Sequence, residues 1–228
     1  MGQSSIYKKF FGGGIKNSQK KMNLVKLMNE KKEFLILVFA NLIAQLGITY
    51  YVMQRTNNPN INIWALFVAQ LIILYVLIMV PMPDFIKFII FCFFSYIFGL
   101  MLSNLKKKYN PDAIQIALQG ALTVFGVFLA AGVALIMGGI NLGYRFGSML
   151  FWALLLLIVF QLVFVLGAKM SQAHKILSFF GIIIFALYVL YDTNTILQRD
   201  YSGDFITASM DYYLDILNLF TSFLGSDN

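Results

Sequence analysis

The chain has 228 residues, of which 60% are hydrophobic and only 12% charged, and its formal net charge is +7. Soluble domains carry about twice that charged fraction, so the composition excludes an ordinary soluble domain and indicates an all-α, polytopic membrane protein. The one cysteine, Cys92, excludes an internal disulfide framework and a cysteine-based metal cluster. The basic residues lie beside apolar runs rather than on one folded face, which excludes a nucleic-acid binder.

Residues 1–33 read as a basic, flexible N-terminal tail, with eight lysines against Glu30 and Glu33 and an FFGGG interruption at Phe10–Gly14. No signal-peptide h-region follows the start. The opening MGQSSI places Ile6 where a myristoylation signal needs Ser or Thr. The lysines suit contact with anionic lipid headgroups.

Seven apolar segments follow in a domain spanning 34–225: about 34–53, 63–80, 86–104, 113–137, 148–167, 175–197 and 205–224. All four prolines (Pro59, Pro81, Pro83, Pro111) fall between them, as expected of helix ends. Asn110-Pro111-Asp112 is a helix start, with a cap, a proline at the first position and an acid in the first turn. With the tail inside the cell, eleven of the seventeen Lys and Arg are cytoplasmic, although Lys106–Lys108 lie outside.

Polar spacing marks candidate interior faces. Asn41, Gln45 and Thr49 recur every fourth residue in the first span, and Gln115, Gln119 and Thr123 do so in the fourth. The fourth continues with Gly126, Ala130 and Ala134, which permit close backbone approach. Each stripe is expected to face the bundle interior, either bonding helix to helix or lining a polar path.

The last quarter, Gly181–Gly225, reads as two apolar helices joined by the polar turn QRDYSGD, with Gly203 as its left-handed residue. Asp192 lies deep in the first arm and Asp215 deep in the second. Their midpoint falls between Gly203 and Asp204. An antiparallel hairpin therefore puts both carboxyls at one depth, roughly 12 Å from the turn, near the middle of a hydrocarbon core about 30 Å thick. An ionised Asp there costs on the order of 3 kcal/mol, which makes it a functional candidate. Asp204, Thr207, Asp211, Asp215, Asn218 and Ser222 share one face of the second arm, opposite Tyr188, Asp192 and Thr195 on the first. Lipid cannot satisfy such a stripe. Two carboxyls in contact cannot both ionise cheaply, so one site serves proton sensing and Ca²⁺ ligation alike. Asp211 lies nearer the aqueous mouth as an ion-entry residue, and Asn218, Thr195 and Tyr188 complete the polar pore face.

Enzyme chemistry finds no foothold, and no cofactor is expected. There is no His-Glu-x-x-His, since His174 is the only histidine. Gly147-Ser148 lacks the surroundings of a membrane serine protease, and Asp204 follows Ser202-Gly203 in a turn rather than a Gly-x-Gly-Asp motif.

YVLYDTNTI followed by YLDILNLF resembles the C-terminal signature of the transmembrane Bax inhibitor motif family, and the order of elements over 34–225 is similar too. The resemblance implies seven helices, six of them around a central C-terminal seventh. It also implies a pH-sensitive Ca²⁺ leak, with eukaryotic members restraining cell death. It makes Asp192 and Asp215 the paired aspartates that sense pH. Family members tend to carry a basic residue on the second span that bridges to this pair. Residues 63–80 hold no charge here, so the pair is expected to be held by a shared proton or a bound cation. The ending GSDN also lacks the lysine-rich end of the cell-death-suppressing members.

The leading expectation is therefore a pH-sensitive cation (Ca²⁺) leak channel in a lipid bilayer, modulating cell death, with Ca²⁺ and protons as its partners. Two alternatives stand beside it. One is a non-conducting membrane regulator that binds other membrane proteins, and the other is a proton-coupled small-solute transporter. Plasma membrane, endoplasmic reticulum and Golgi are equally compatible with the sequence.

Overall fold

The computed structural model of the protein describes residue 27 and residues 29–56, 62–167, 171–199 and 201–226. Most of the basic tail, Pro59 and Lys169 lie outside these. Among the described residues the fold is all-α. The helices are α1 (Lys32–Arg55), α2 (Ile63–Met79), α3 (Asp84–Ser103, extended by a 3₁₀ turn at Asn104–Lys107), α4 (Pro111–Met137), α5 (Tyr144–Gly167), α6 (Ser171–Gln198) and α7 (Phe205–Ser226). They occupy the seven expected segments, with every end within four residues of expectation.

The ends obey local chemistry. Asn110 Oδ1 accepts from Ala113 N at 2.7 Å, capping α4 ahead of Pro111. Asn62 caps α2 by accepting from Trp64 N and Ala65 N. The C-terminus of α4 closes as a Schellman motif: Gly139 has φ +76°, Gly139 N donates to Ile136 O and Ile140 N to Leu135 O. Five helices (α1, α3, α4, α5, α6) are long and apolar enough to cross a membrane by themselves. α2 has 17 residues, and the polar stripe of α7 keeps it out of that set.

The chain forms two compact units. One comprises Glu33–Ile114 and Ser202–Tyr213. In it the first-span stripe is buried and bonded helix to helix. Asn41 Nδ2 donates to Ser209 Oγ (2.6 Å), Gln45 Nε2 to Asn41 Oδ1 (3.0 Å), Ser95 Oγ to Gln45 Oε1 (2.8 Å), and Thr49 shares a 2.6 Å bond with the Tyr213 hydroxyl. Apolar packing surrounds this seam, with Phe91, Phe94 and Phe98 set edge-on around Tyr213. α3 approaches α1 so closely at Gly99 that a Cβ there would stand 2.7 Å from Thr49 O and from Val52 Cβ. Half-buried Cys92 belongs to the same seam, its sulfur accepting from Gln45 Nε2.

The second unit comprises the described residues of Met1–Lys32, Gln115–Tyr201 and Leu214–Asn228. α7 thus contributes to both units, and it is the most thoroughly buried helix, with Ile206, Ala208, Tyr213, Ile216 and Leu219 all at 2% exposure or less. The described end of the tail is not loose: Leu27 is buried, and Lys31 Nζ donates to Ile196 O and Arg199 O at the C-terminal end of α6. The expectation for α4 needs correction. Gln115, Gln119 and Thr123 are exposed, as are Gly126, Ala130 and Ala134. The inward face is Ile114, Ala117 and Ala121, continued by Gly132. Fourfold spacing shows that residues share a face but not which way it points. Here the smaller side chains opposite admit the neighbours, Gly120 against Phe223 and Gly132 against Thr193.

Candidate functional site

Close packing fixes the register of α6 on α7 in the second unit. A Cβ on Gly181 would lie 2.6 Å from Ser222 Oγ, and one on Gly225 would meet Ser178 Oγ. Counting from these pairs, seven residues along α6 from Gly181 is Tyr188, and seven back along α7 from Ser222 is Asp215. Tyr188, not Asp192, is therefore level with Asp215. Equal depth was expected because the turn was centred between Gly203 and Asp204. In fact α6 ends at Gln198 and α7 begins at Phe205, so the connection is centred two residues earlier. Asp192 consequently lies one turn, about 6 Å, nearer that connection than Asp215. Cα–Cβ bonds tilt toward the N-terminus of their own helix, so in this antiparallel pair the two acids lean toward each other and shorten that offset.

Asp215 is 5% exposed, with its Oδ2 wholly enclosed, and Asp192 is half-buried. Tyr188, half-buried beside Phe185, is within electrostatic reach of both carboxyls. Asp211, one turn before Asp215 on α7, is half-buried, as are Asn218 and Thr195. In the same register Asn218 is level with Phe185, so it lies about 15 Å along the axis from Thr195. These two do not meet in one ring. Among the described residues no three His, Cys, Asp or Glu side chains converge as a metal cage. A resident Ca²⁺ wants six to eight oxygens, more than two carboxyls and a phenol supply.

The motif YDTNT becomes readable residue by residue. Tyr191 fills the space over Gly147 on α5, and Thr193 the space over Gly132 on α4. Asn194, fully buried, binds backbone groups of the α4–α5 connection. Sequence reasoning gave Asn194 no role, because its partners lie more than fifty positions away.

It also missed an ion pair in the first unit. Lys87, in the first turn of α3, donates to Asp204 Oδ2 and to Thr207 Oγ1. Asp204 is the N-cap of α7: its Oδ1 accepts from Thr207 N (3.0 Å) and its Oδ2 from Thr207 Oγ1 (2.7 Å). Burial pushes the Asp204 carboxyl up, but the Lys87 ammonium and the Thr207 donors outweigh it and hold the carboxyl below its ordinary value. The sequence reading placed Asp204 in the turn and on the α7 face without a capping role, and its partner Lys87 lies 117 positions away.

The seven helices and their apolar surfaces define a multi-pass integral membrane protein. The chain belongs to the family described as inhibitor of apoptosis-promoting Bax1, whose model matches residues 31–225. It is 29% identical over 201 residues to Bax inhibitor 1 of Schizosaccharomyces pombe, a match covering 84% of this chain and 74% of that one. It is 32% identical over 115 residues to Protein LIFEGUARD 1 of Arabidopsis thaliana, covering 49% of this chain and 47% of the relative, so that match spans about half of each. A Golgi anti-apoptotic protein of Vaccinia virus (strain Lister) is 26% identical over 133 residues, 58% of this chain and 54% of that one.

Proposed function

We propose that the protein is a proton-gated cation leak, carrying Ca²⁺, that restrains cell death from within a membrane, with Asp192 and Asp215 as its titrating pair and Asp211 as its entry ligand. The observation that carries this reading is Asp215, buried on the polar stripe of α7 and level with a phenol within electrostatic reach of both acids. A lone carboxylate in such surroundings is costly, so a proton or a cation belongs beside it. Titration of the pair therefore exchanges protons for cations at one point along the path. The cell-death role follows the names of the relatives, Bax inhibitor 1 and a Golgi anti-apoptotic protein.

A second reading, a non-conducting regulator, is favoured by one feature: Asn41, Gln45, Thr49 and Ser95 are spent on bonds between helices rather than on lining a path. Ca²⁺ release from proteoliposomes at about pH 8 and about pH 6 separates the two. Release above that of empty vesicles, and dependent on pH, supports the leak; none at either pH supports the regulator.

A further inference from the structure

Four cations converge at one end of the unit formed by Glu33–Ile114 and Ser202–Tyr213. Arg55 closes α1, and Lys106, Lys107 and Lys108 lie in and just after the 3₁₀ turn that extends α3. Lys106 Nζ donates to Gln54 O at 3.0 Å across 52 positions of sequence, which fastens the lysine run to the end of α1. Lys106 thereby answers the negative pole that α1 presents there. Arg55, Lys107 and Lys108 are exposed. The acids of this unit lie elsewhere: Glu33 and Asp84 begin α1 and α3 at the other end, Asp204 caps α7 beside Lys87 there, and Asp211 follows two turns on. Asp112 alone shares the end with the four cations. The charge count leaves this end outside, so the excess runs against the tendency to keep cations cytoplasmic and calls for an anion.

The surroundings say what carries that anion. Tyr50 and Tyr51 are 51% and 61% exposed, the Arg55 guanidinium stands 5.6 Å from the Tyr51 ring, and the Lys108 ammonium 5.0 Å from the Tyr109 ring. Tyrosines beside cations at a helix end mark the level of lipid headgroups. Toward the bilayer centre α1 exposes Ile43, and α3 exposes Phe93 and Tyr96. Acyl chains can cover that surface, whereas a free phosphate has no use for it.

We infer that Arg55, Lys107 and Lys108, set in place by Lys106, form a headgroup site for an anionic glycerophospholipid, whose acyl chains lie along α1 and α3. Arg55 offers a fork that matches two phosphate oxygens, and the lysines act as point charges around it. The site stands whether or not the protein conducts ions.

The test measures retention of phosphatidylglycerol and of phosphatidylcholine by the full-length protein in neutral detergent micelles, read by native mass spectrometry across lipid concentration. Wild type retains phosphatidylglycerol selectively, and inorganic phosphate at the same concentration does not displace it. Each cation near a headgroup contributes about fivefold in affinity, so Arg55→Gln/Lys107→Gln/Lys108→Gln should weaken phosphatidylglycerol binding roughly 100-fold. Lys107→Arg/Lys108→Arg, which keeps the charge, should bind within about twofold of wild type. Lys32→Gln/Arg145→Gln removes two exposed cations from the starts of α1 and α5 and should leave binding unchanged. Unaltered binding in the triple variant overturns the proposal, and so does an equal loss in Lys32→Gln/Arg145→Gln, which would make net charge the only cause. Displacement by inorganic phosphate overturns it in favour of a soluble anion. Should the triple variant fail to fold, Lys108→Gln alone must weaken binding about fivefold, and wild-type affinity there overturns the proposal.

Discussion

Replacing Lys87 with methionine removes the ammonium that joins α3 to the cap of α7 while keeping most of its packing stem. The side chains of the pair are 10% and 35% exposed. Breaking a fully buried pair costs about 3–5 kcal/mol, and an exposed one contributes less than about 1 kcal/mol. Asp204 is a third exposed and keeps both Thr207 donors, which places Lys87→Met at about 2 kcal/mol, or roughly 6 °C in Tm for a chain of this size. Asp204→Asn retains the capping oxygen but not the charge. The double variant Lys87→Met/Asp204→Asn should therefore be less damaged than the sum of the two, by about 1 kcal/mol of coupling. A carboxyl held below its ordinary value adds stability above the usual carboxylate range and loses it as pH falls through the folded value. The difference in Tm between wild type and Lys87→Met is accordingly constant from about pH 8 to about pH 6 and shrinks below about pH 4. Thermal unfolding in detergent micelles across pH reads all of this. Additive single effects, or a difference that disappears already near pH 6, refute the assignment of a working ion pair to Lys87 and Asp204.

Three further outcomes follow from the packing and the acids. Gly99→Ala forces α3 off the α1 backbone at Thr49 and Val52 and should cost about 1–3 kcal/mol, read as a lower Tm; an unchanged Tm contradicts that close approach. Asp192→Asn should flatten the pH profile of Ca²⁺ flux, whereas an unaltered profile leaves Asp192 as packing alone. Asp211→Asn should lower flux most at low ionic strength, where screening is weakest, with the midpoint unmoved. A midpoint shift as large as that of Asp215→Asn means that the three acids titrate as one group.

The helices were legible because a bilayer demands apolar runs of about twenty residues, and proline and asparagine mark their ends, as at Asn110-Pro111. The Asn41, Gln45, Thr49 stripe was legible as an inward face because each polar group must find a partner away from lipid. The α4 stripe was misread because period alone carries no direction, and the small Ala117, Ala121 and Gly132 decided which side packs. The hairpin register slipped by one turn because the turn was centred on its glycine. The pairs that fix it, Gly181 with Ser222 and Ser178 with Gly225, are recognisable only once the helices are side by side. Lys87 with Asp204, and Asn194 with the α4–α5 connection, join residues far apart in the chain, so no local pattern announces them.

Ca²⁺ flux through the purified full-length protein in proteoliposomes, titrated from about pH 8 to about pH 5 beside Asp215→Asn, tests the acid-pair account most directly. The account predicts a wild-type flux that changes at least about tenfold over that interval, as a protonation-driven switch requires, and an Asp215→Asn flux nearly independent of pH. Wild-type and Asp215→Asn profiles that coincide, or flux no greater than that of empty vesicles at every pH, would contradict it.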